Sequence, residues 1–110
     1  MKDDSVYLKH ILDAIERIQE YSKEINYDYF IKNHLIQDGI IRQIEIIGEA
    51  ARRLSEELKN KNSQIPWKDI VGMRNKLSHD YLGVDIDAVW DTVQKDLPFL
   101  KAEIEQIVNR

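Results

Sequence analysis

Apolar residues recur every three or four positions along most of the chain, and this spacing constrains the fold more than any other feature. Only four glycines and two prolines interrupt the 110 residues, and no strand-like alternation is apparent. The elements must therefore be few, long and helical. Residues 1–110 are predicted to form one all-α domain, an up-and-down bundle of four principal helices plus one short helix.

The bounds of these helices follow from the apolar stripe and from capping residues. Acidic or hydroxyl side chains at Asp3, Asp4 or Ser5 are candidate N-caps of the first helix, and Asp85 and Asp87 open the last one. The predicted principal helices are 5–24, 35–58, 66–77 and 85–110, and the short helix of one or two turns is 27–32.

Glycine and proline positions add local predictions. Gly48 lies inside the central helix, where glycine costs about 1 kcal/mol relative to alanine, so another backbone is expected to approach closely there. Pro66 suits the first position of the third helix, and Gly83 is expected to end that segment. Pro98 should kink or split the last helix near Leu97.

Composition excludes several classes of protein. The chain has no cysteine, which excludes a disulfide scaffold, a thiolate metal site and a cysteine nucleophile, and a cytoplasmic location is expected. No run reaches the roughly 18 apolar residues of a membrane span. The net charge of −4 argues against broad nucleic-acid coating but leaves room for a small basic site. The sequence has no glycine-rich phosphate loop, and no histidine has a glutamate three residues before it, as the metal-binding motif of di-iron helical bundles requires. No metal or cofactor is therefore expected.

Two histidines and both tryptophans have ordinary structural interpretations. His10 and His34 stand on helices rich in polar residues and are predicted to be solvated surface side chains. Trp67 and Trp90 are predicted to anchor the core, not to stack on nucleic-acid bases.

The segment 74–81, RNKLSHDY, carries the strongest chemical signal. Arg74 is a permanently charged phosphate binder, and His79 has the only type of side chain that titrates near neutral pH, which together suit the cleavage of a phosphodiester. The spacing alone is weak evidence, because Arg74 could simply pair with an acid such as Asp80.

Helix geometry limits how Arg74 and His79 can meet. Five positions on a straight helix put two side chains about 140° apart, at about 100° per residue. Asn75 and His79, four apart, share a face, as do Arg74 and Tyr81, seven apart. Convergence of Arg74 with His79 therefore needs either a helix that breaks near Ser78 or a second copy of the protein in a symmetric dimer.

The sequence resembles the HepT-like toxin family within the larger group of HEPN ribonucleases. The likeness covers the whole chain and is carried by YLKHILDAIERI, IEIIGEAARRLS, IPWKDIVGMRNKLSHDY, VDIDAVW and LPFL. The family's pattern of Arg, four residues, His, one residue and Tyr falls on Arg74, His79 and Tyr81 without gaps, and Asn75 also matches.

The resemblance implies a HEPN-like fold and a metal-independent RNA endonuclease that acts as a homodimer, with transfer RNA as the suggested substrate. It implies the toxin role in a toxin–antitoxin pair, restrained by a cognate minimal nucleotidyltransferase (MntA-like) antitoxin. The same resemblance implies that this partner transfers AMP onto Tyr81. On sequence alone, Tyr81 could equally be a core aromatic.

The candidate roles follow from side-chain chemistry. His79 would move protons to or from the reacting oxygens, and Arg74 would stabilise the added negative charge, with Asn75 as an orienting donor. Glu49, Arg52 and Arg53 are weaker candidates for contact with RNA or a partner, because such a patch is usually a solvated face.

An inactive adaptor is the alternative function. Such a protein would bind a nucleotidyltransferase or a nucleotide through the same phosphate-holding residues. It would keep Arg74 without needing a titrating group at position 79.

Overall fold

The computed structural model describes residues 3–73, 75, 78–80 and 83–109, with 78–80 and 83 described by their backbone alone. The helices whose bounds lie within these residues are α1 Asp4–Ser22, α2 Tyr27–Lys32, α3 His34–Arg52, α4 Glu56–Lys61, α5 Trp67–Val71, α6 Ile86–Asp91 and α7 Leu97–Val108, and Met73 and Asn75 are also helical. A π-helical segment, Thr92–Asp96, joins α6 to α7, and two short strands are β1 Ser78–Asp80 and β2 Gly83–Val84.

The predicted helical bundle is confirmed. Helix α1 packs along α3, α5 packs against α3, and α7 packs against α1. The apolar stripes of these helices meet in one core, in which the fully buried side chains include Ile11, Ile15, Ile18, Phe30, Ile40, Ile44, Ile47, Val89, Leu97 and Ile104. Burial of such stripes is what stabilises short amphipathic helices in water.

The first helices lie close to their predicted bounds. The Asp3 carboxylate accepts a hydrogen bond from the Ser5 N–H at 2.9 Å and caps α1, as expected of a first-turn acid. Helix α1 ends at Ser22, two residues early, and Glu24 then takes the left-handed φ of 63°. The predicted short helix is confirmed as α2.

The central helix is shorter than predicted. It was expected to span 35–58, but α3 ends at Arg52 and α4 begins after Ser55. The Ser55 hydroxyl accepts from the Leu58 N–H at 3.1 Å, and the Asp4 carboxylate accepts from the Ser55 N–H at 2.9 Å and from its hydroxyl at 2.6 Å. These bonds satisfy the polar groups that a helix end exposes, so the break costs little.

The third predicted helix is interrupted at Gly72, with Met73 and Asn75 helical again beyond it, and two short strands follow. Pro66 precedes the first helical residue instead of occupying that position, and α5 ends at Val71. Strands β1 and β2 pair antiparallel, with Ser78 opposite Val84. Gly83 therefore begins a strand and does not end a helix; pairings this short leave no alternation in the sequence.

The last helix confirms both of its local predictions. The Asp85 carboxylate accepts from the Ala88 N–H at 3.1 Å and caps α6. Before Pro98, which has no N–H to donate, the bonding pattern changes, and the Leu97 N–H bonds to the Thr92 carbonyl five residues back. The predicted split near Leu97 is therefore a π-helical turn.

Both tryptophans contact the core as predicted. Trp67 is buried, and its indole N–H donates to the Asn62 carbonyl at 3.1 Å. Trp90 is half-buried, with its ring centroid 5.0 Å from that of Phe30. A buried indole whose N–H is hydrogen-bonded to a backbone carbonyl stabilises the core and is not available to stack on a nucleic-acid base.

Gly48 lies where two backbones approach closely, as predicted. A Cβ placed at this position would be 3.2 Å from the Val71 carbonyl oxygen and 3.4 Å from that of Ile70. These carbonyls belong to α5, so the missing side chain allows α5 to lie directly against α3.

Replacing Gly48 by Val should lower the free energy of unfolding by about 1–3 kcal/mol, because a backbone carbonyl cannot rotate away from the added methyl groups. Urea unfolding measures the change. Gly39→Val is the matched control within the same helix: its nearest neighbour is the Tyr21 ring at 3.3 Å, a side chain that can move. Equal losses in the two variants would show that the close approach to α5 carries no special cost.

Among the described residues, no helix combines the length and the apolar character needed to cross a membrane.

Candidate functional site

The predicted motif is described only in part. Arg74 and Tyr81 lie outside the described residues, and His79 is described by its backbone, which belongs to strand β1. Because the chain is extended at Ser78, Arg74 and His79 do not lie on one straight helix. Of the two geometries expected from the sequence, the backbone has the break near Ser78, and the dimer stays a prediction.

Asn75 is exposed and lines an open groove of about 390 Å³ against the outer face of α3. This Asn75 groove is lined by Arg42, Glu45, Gly48, Glu49, Arg52, Val71 and Asn75. Since Asn75 directly follows Arg74 in the chain, the groove borders the predicted catalytic motif. The close approach at Gly48 brings Val71, at the end of α5, beside α3, and Val71 lines this groove together with Asn75.

Glu49, Arg52 and Arg53 form one ion-pair network at the C-terminal end of α3. Arg52 donates to both carboxylate oxygens of Glu49, from Nη2 at 2.7 Å and from Nε at 3.2 Å, and Arg53 Nε donates at 3.0 Å. These hydrogen bonds, that of Arg52 foremost, lower the pKa of Glu49, and the carboxylate raises the pKa of both guanidinium groups. The network is solvent-exposed, so it orients the arginines more than it stabilises the fold.

A second groove of about 270 Å³ lies between α1 and α3. This Tyr7 groove is lined by Tyr7, His10, Arg42, Glu45, Ile46, Glu49, Ala50 and Arg53. The rings of Tyr7 and His10 meet edge to face, with centroids 6.1 Å apart and planes at 85°. His10 and His34 are both exposed, so the predicted surface position of each histidine is confirmed. Sequence reasoning missed Tyr7, although its spacing of three from His10 puts both on one face of a helix.

A third groove, of about 370 Å³, lies between α5 and the rod formed by α6 and α7. Its lining is apolar and acidic: Pro66, Asp69, Ile70, Met73, Ala88, Asp91, Thr92, Asp96, Phe99 and Leu100. Three aspartates and no lysine or arginine are among these described lining residues. Such a surface repels a polyanion, so the two grooves on α3 are the better candidates for contact with RNA.

Among the described side chains, no group of three or more histidines, aspartates and glutamates could hold a metal ion. Arg74, His79 and Tyr81 fall outside that search. The expected independence of metal therefore stays a prediction.

Residues 11–107 match the protein-family model described as "Ribonuclease HepT-like". The chain belongs to this family. The family resemblance inferred from the sequence is confirmed, and with it the assignment of the chain as a ribonuclease of the HEPN type.

Relatives with named activities support the assignment to the HepT-like family. The chain is 47% identical over 108 residues to the "Gamma-glutamylcyclotransferase and putative RNase" of Methanocaldococcus jannaschii, covering 98% of this chain and 49% of that protein, so it spans about half of that relative's length. It is 39% identical over its full length to a "Putative RNase" of Caldanaerobacter subterraneus subsp. tengcongensis, covering 98% of that protein. It is 41% identical to the "Probable ribonuclease HepT" of Thermococcus cleftensis, over 92% of each chain. No solved structure matches the chain.

Proposed function

We propose that this HepT-like ribonuclease is the toxin of a toxin–antitoxin pair. In this proposal it is a metal-independent endonuclease that cuts transfer RNA as a homodimer, and a cognate minimal nucleotidyltransferase silences it by AMPylation of Tyr81. The family match over residues 11–107 carries the proposal. The unbroken Arg74, Asn75, His79 and Tyr81 pattern in the sequence supports it.

His79 and Arg74 would divide the chemistry between them. A histidine removes the proton from the RNA 2′-hydroxyl, whose oxygen then attacks the adjacent phosphorus, and a histidine returns a proton to the leaving 5′-oxygen. The products are a 2′,3′-cyclic phosphate and a free 5′-hydroxyl. Arg74 would stabilise the extra negative charge on the phosphorane with its planar array of donors.

The groove beside the motif supports binding of the RNA backbone there. Asn75 is exposed within it, and its amide can orient His79 or donate to a phosphate oxygen. Arg42 and Arg52 line the same groove from α3 with exposed side chains. Polar donors and cations on two sides of an open groove suit a phosphodiester backbone.

A homodimer would supply the second catalytic group. The motif contains one histidine, whereas the reaction needs a base for the 2′-hydroxyl and an acid for the 5′-oxygen. A two-fold axis beside the motif would bring His79 and Arg74 of both copies into one cleft.

Cleavage should survive an excess of EDTA and leave 2′,3′-cyclic phosphate ends, because the proposed nucleophile is the RNA's own 2′-hydroxyl and not a metal-bound water. A denaturing gel of fluorescently end-labelled transfer RNA measures cleavage, and mass spectrometry of the fragments distinguishes a cyclic phosphate end from a linear phosphate or a hydroxyl end. RNA with 2′-deoxy substitution at the cut site is the control and should resist cleavage. Loss of activity in EDTA that magnesium restores would contradict the proposal.

A further inference from the structure

The Tyr7 groove adjoins the Asn75 groove on the surface of α3. Three residues, Arg42, Glu45 and Glu49, line both grooves. The surface between α1 and α3 is therefore continuous with the surface that borders the catalytic motif. A strand bound beside Asn75 could extend into the Tyr7 groove without leaving the protein.

The Tyr7 groove combines aromatic rings with cations. Tyr7 is partly buried against the core, whereas His10, whose ring meets Tyr7 edge to face, is exposed and offers ring surface for stacking. Arg53 donates a hydrogen bond to Glu49 at 3.0 Å and lines the same groove as Tyr7 and His10. The Arg42 side chain is 68% exposed and can turn toward a phosphate.

The charge of these two grooves differs from that of the chain. The described residues that line them include three arginines and two glutamates, whereas the chain as a whole has a net charge of −4. Both glutamates already pair with arginines. An RNA phosphate can replace a carboxylate on a guanidinium group, since both accept the same paired donors.

We infer that the Tyr7 groove is a second subsite for the RNA substrate, which binds one single-stranded nucleotide by stacking its base on the Tyr7–His10 pair and holding a phosphate with Arg42 or Arg53. This inference rests on the proposed ribonuclease site beside Asn75. The volume of about 270 Å³ lies just below the roughly 300–1,000 Å³ of small-ligand sites and suits one nucleotide. The base must be unpaired, because stacking on a side chain requires a base that is splayed out of a helix.

If the Tyr7 groove is a subsite, binding should be tighter for an RNA that is long enough to reach it. Asn75 and the Tyr7–His10 pair line different grooves that share the α3 residues Arg42, Glu45 and Glu49. A helix with its side chains is about 10–12 Å across, which is about three nucleotides at about 3.4 Å per stacked nucleotide. A dinucleotide cut beside Asn75 would not reach the Tyr7 groove, whereas a longer single strand would.

Binding of a fluorescein-labelled single-stranded RNA of about ten nucleotides, followed by anisotropy, tests the subsite directly. The double variant His10→Ala/Tyr7→Leu removes both rings and keeps apolar bulk where Tyr7 packs on the core. Its Kd should rise roughly 5- to 150-fold, the effect of losing one base stack. The matched control is His34→Ala/Tyr29→Leu, which makes the same changes at two exposed positions that line neither groove and should bind as the wild type does.

Cleavage kinetics separate this inference from the proposed function. The double variant should show a raised KM on the longer RNA and an unchanged kcat/KM on a dinucleotide. An unchanged Kd, or an equal loss in the control variant, would overturn the subsite. A similar loss of dinucleotide cleavage would also overturn it. If the wild type bound RNA without cutting it, the proposed chemistry would fail, while the comparison of Kd values would still decide the subsite.

Discussion

Replacing His79 by Ala should reduce RNA cleavage by about 10²- to 10⁴-fold, the usual loss when a general acid or base is removed. The strand that carries His79 is paired through its backbone, so the substitution should leave thermal unfolding close to that of the wild type. Cleavage of end-labelled RNA under single-turnover conditions measures the rate. Circular dichroism during heating measures the unfolding.

His34→Ala is the matched control because this histidine is exposed at the start of α3 and lines neither α3 groove. It should cleave at the wild-type rate. Undiminished cleavage by His79→Ala would remove His79 from the mechanism. A wild-type protein that binds a nucleotidyltransferase or a nucleotide but cuts no RNA would favour the inactive adaptor.

The same His79→Ala variant tests the shared cleft. If one site uses His79 of both copies, random exchange of equal amounts of wild-type and variant subunits should leave roughly a quarter of the activity, since only all-wild-type dimers work. If each copy acts alone, roughly half should remain. Mixing the subunits under conditions that allow exchange, then measuring cleavage, distinguishes the two cases.

The helices were predictable wherever burial follows the local sequence. An apolar side chain every three or four residues forces one face of a helix into the core, so the bounds of α1 and α2 follow from the stripe. The interruption of the last helix just before Pro98 was predictable for a covalent reason, because proline has no N–H to donate. Gly48 was predictable because a mid-helix glycine is costly unless a close contact requires it.

The end of α3 was not predictable, because the apolar stripe continues across the break. Leu54 is buried although it lies between α3 and α4, so the pattern that marks burial does not mark the helix end. The break depends on bonds between Ser55 and Asp4, which lie 51 residues apart. Long-range bonds of this kind leave no local periodicity.

The proposed catalytic residues of the candidate site were predictable from the sequence, but the grooves beside them were not. Residue types and spacing singled out Arg74 and His79, while the Tyr7 groove depends on α1 and α3 packing together. Tyr7 and Arg53 are distant in sequence and line one groove only because of the fold. A groove that two helices share has no signature in either helix alone.

Tyr81→Phe should abolish AMPylation by the proposed nucleotidyltransferase while leaving a nuclease that the partner can no longer silence with ATP. In the proposed step the Tyr81 phenol oxygen attacks the α-phosphorus of ATP, the bond to pyrophosphate breaks, and the phenol proton leaves to solvent or a base. Phenylalanine has no such oxygen. The attached adenylate would place its phosphodiester charge on Arg74, where the RNA phosphate must bind.

Intact-mass analysis after incubation with the partner, ATP and magnesium should show added adenylate on the wild type and none on Tyr81→Phe. Tyr29→Phe is the matched control, because Tyr29 is 53% exposed on α2 and offers the same phenol away from the motif. This variant should be modified and silenced as the wild type is. An adenylate mapped to another residue, or a Tyr81→Phe protein that ATP and the partner still switch off, would contradict inhibition at Tyr81. The inhibition would then have to act away from the phosphate position at Arg74.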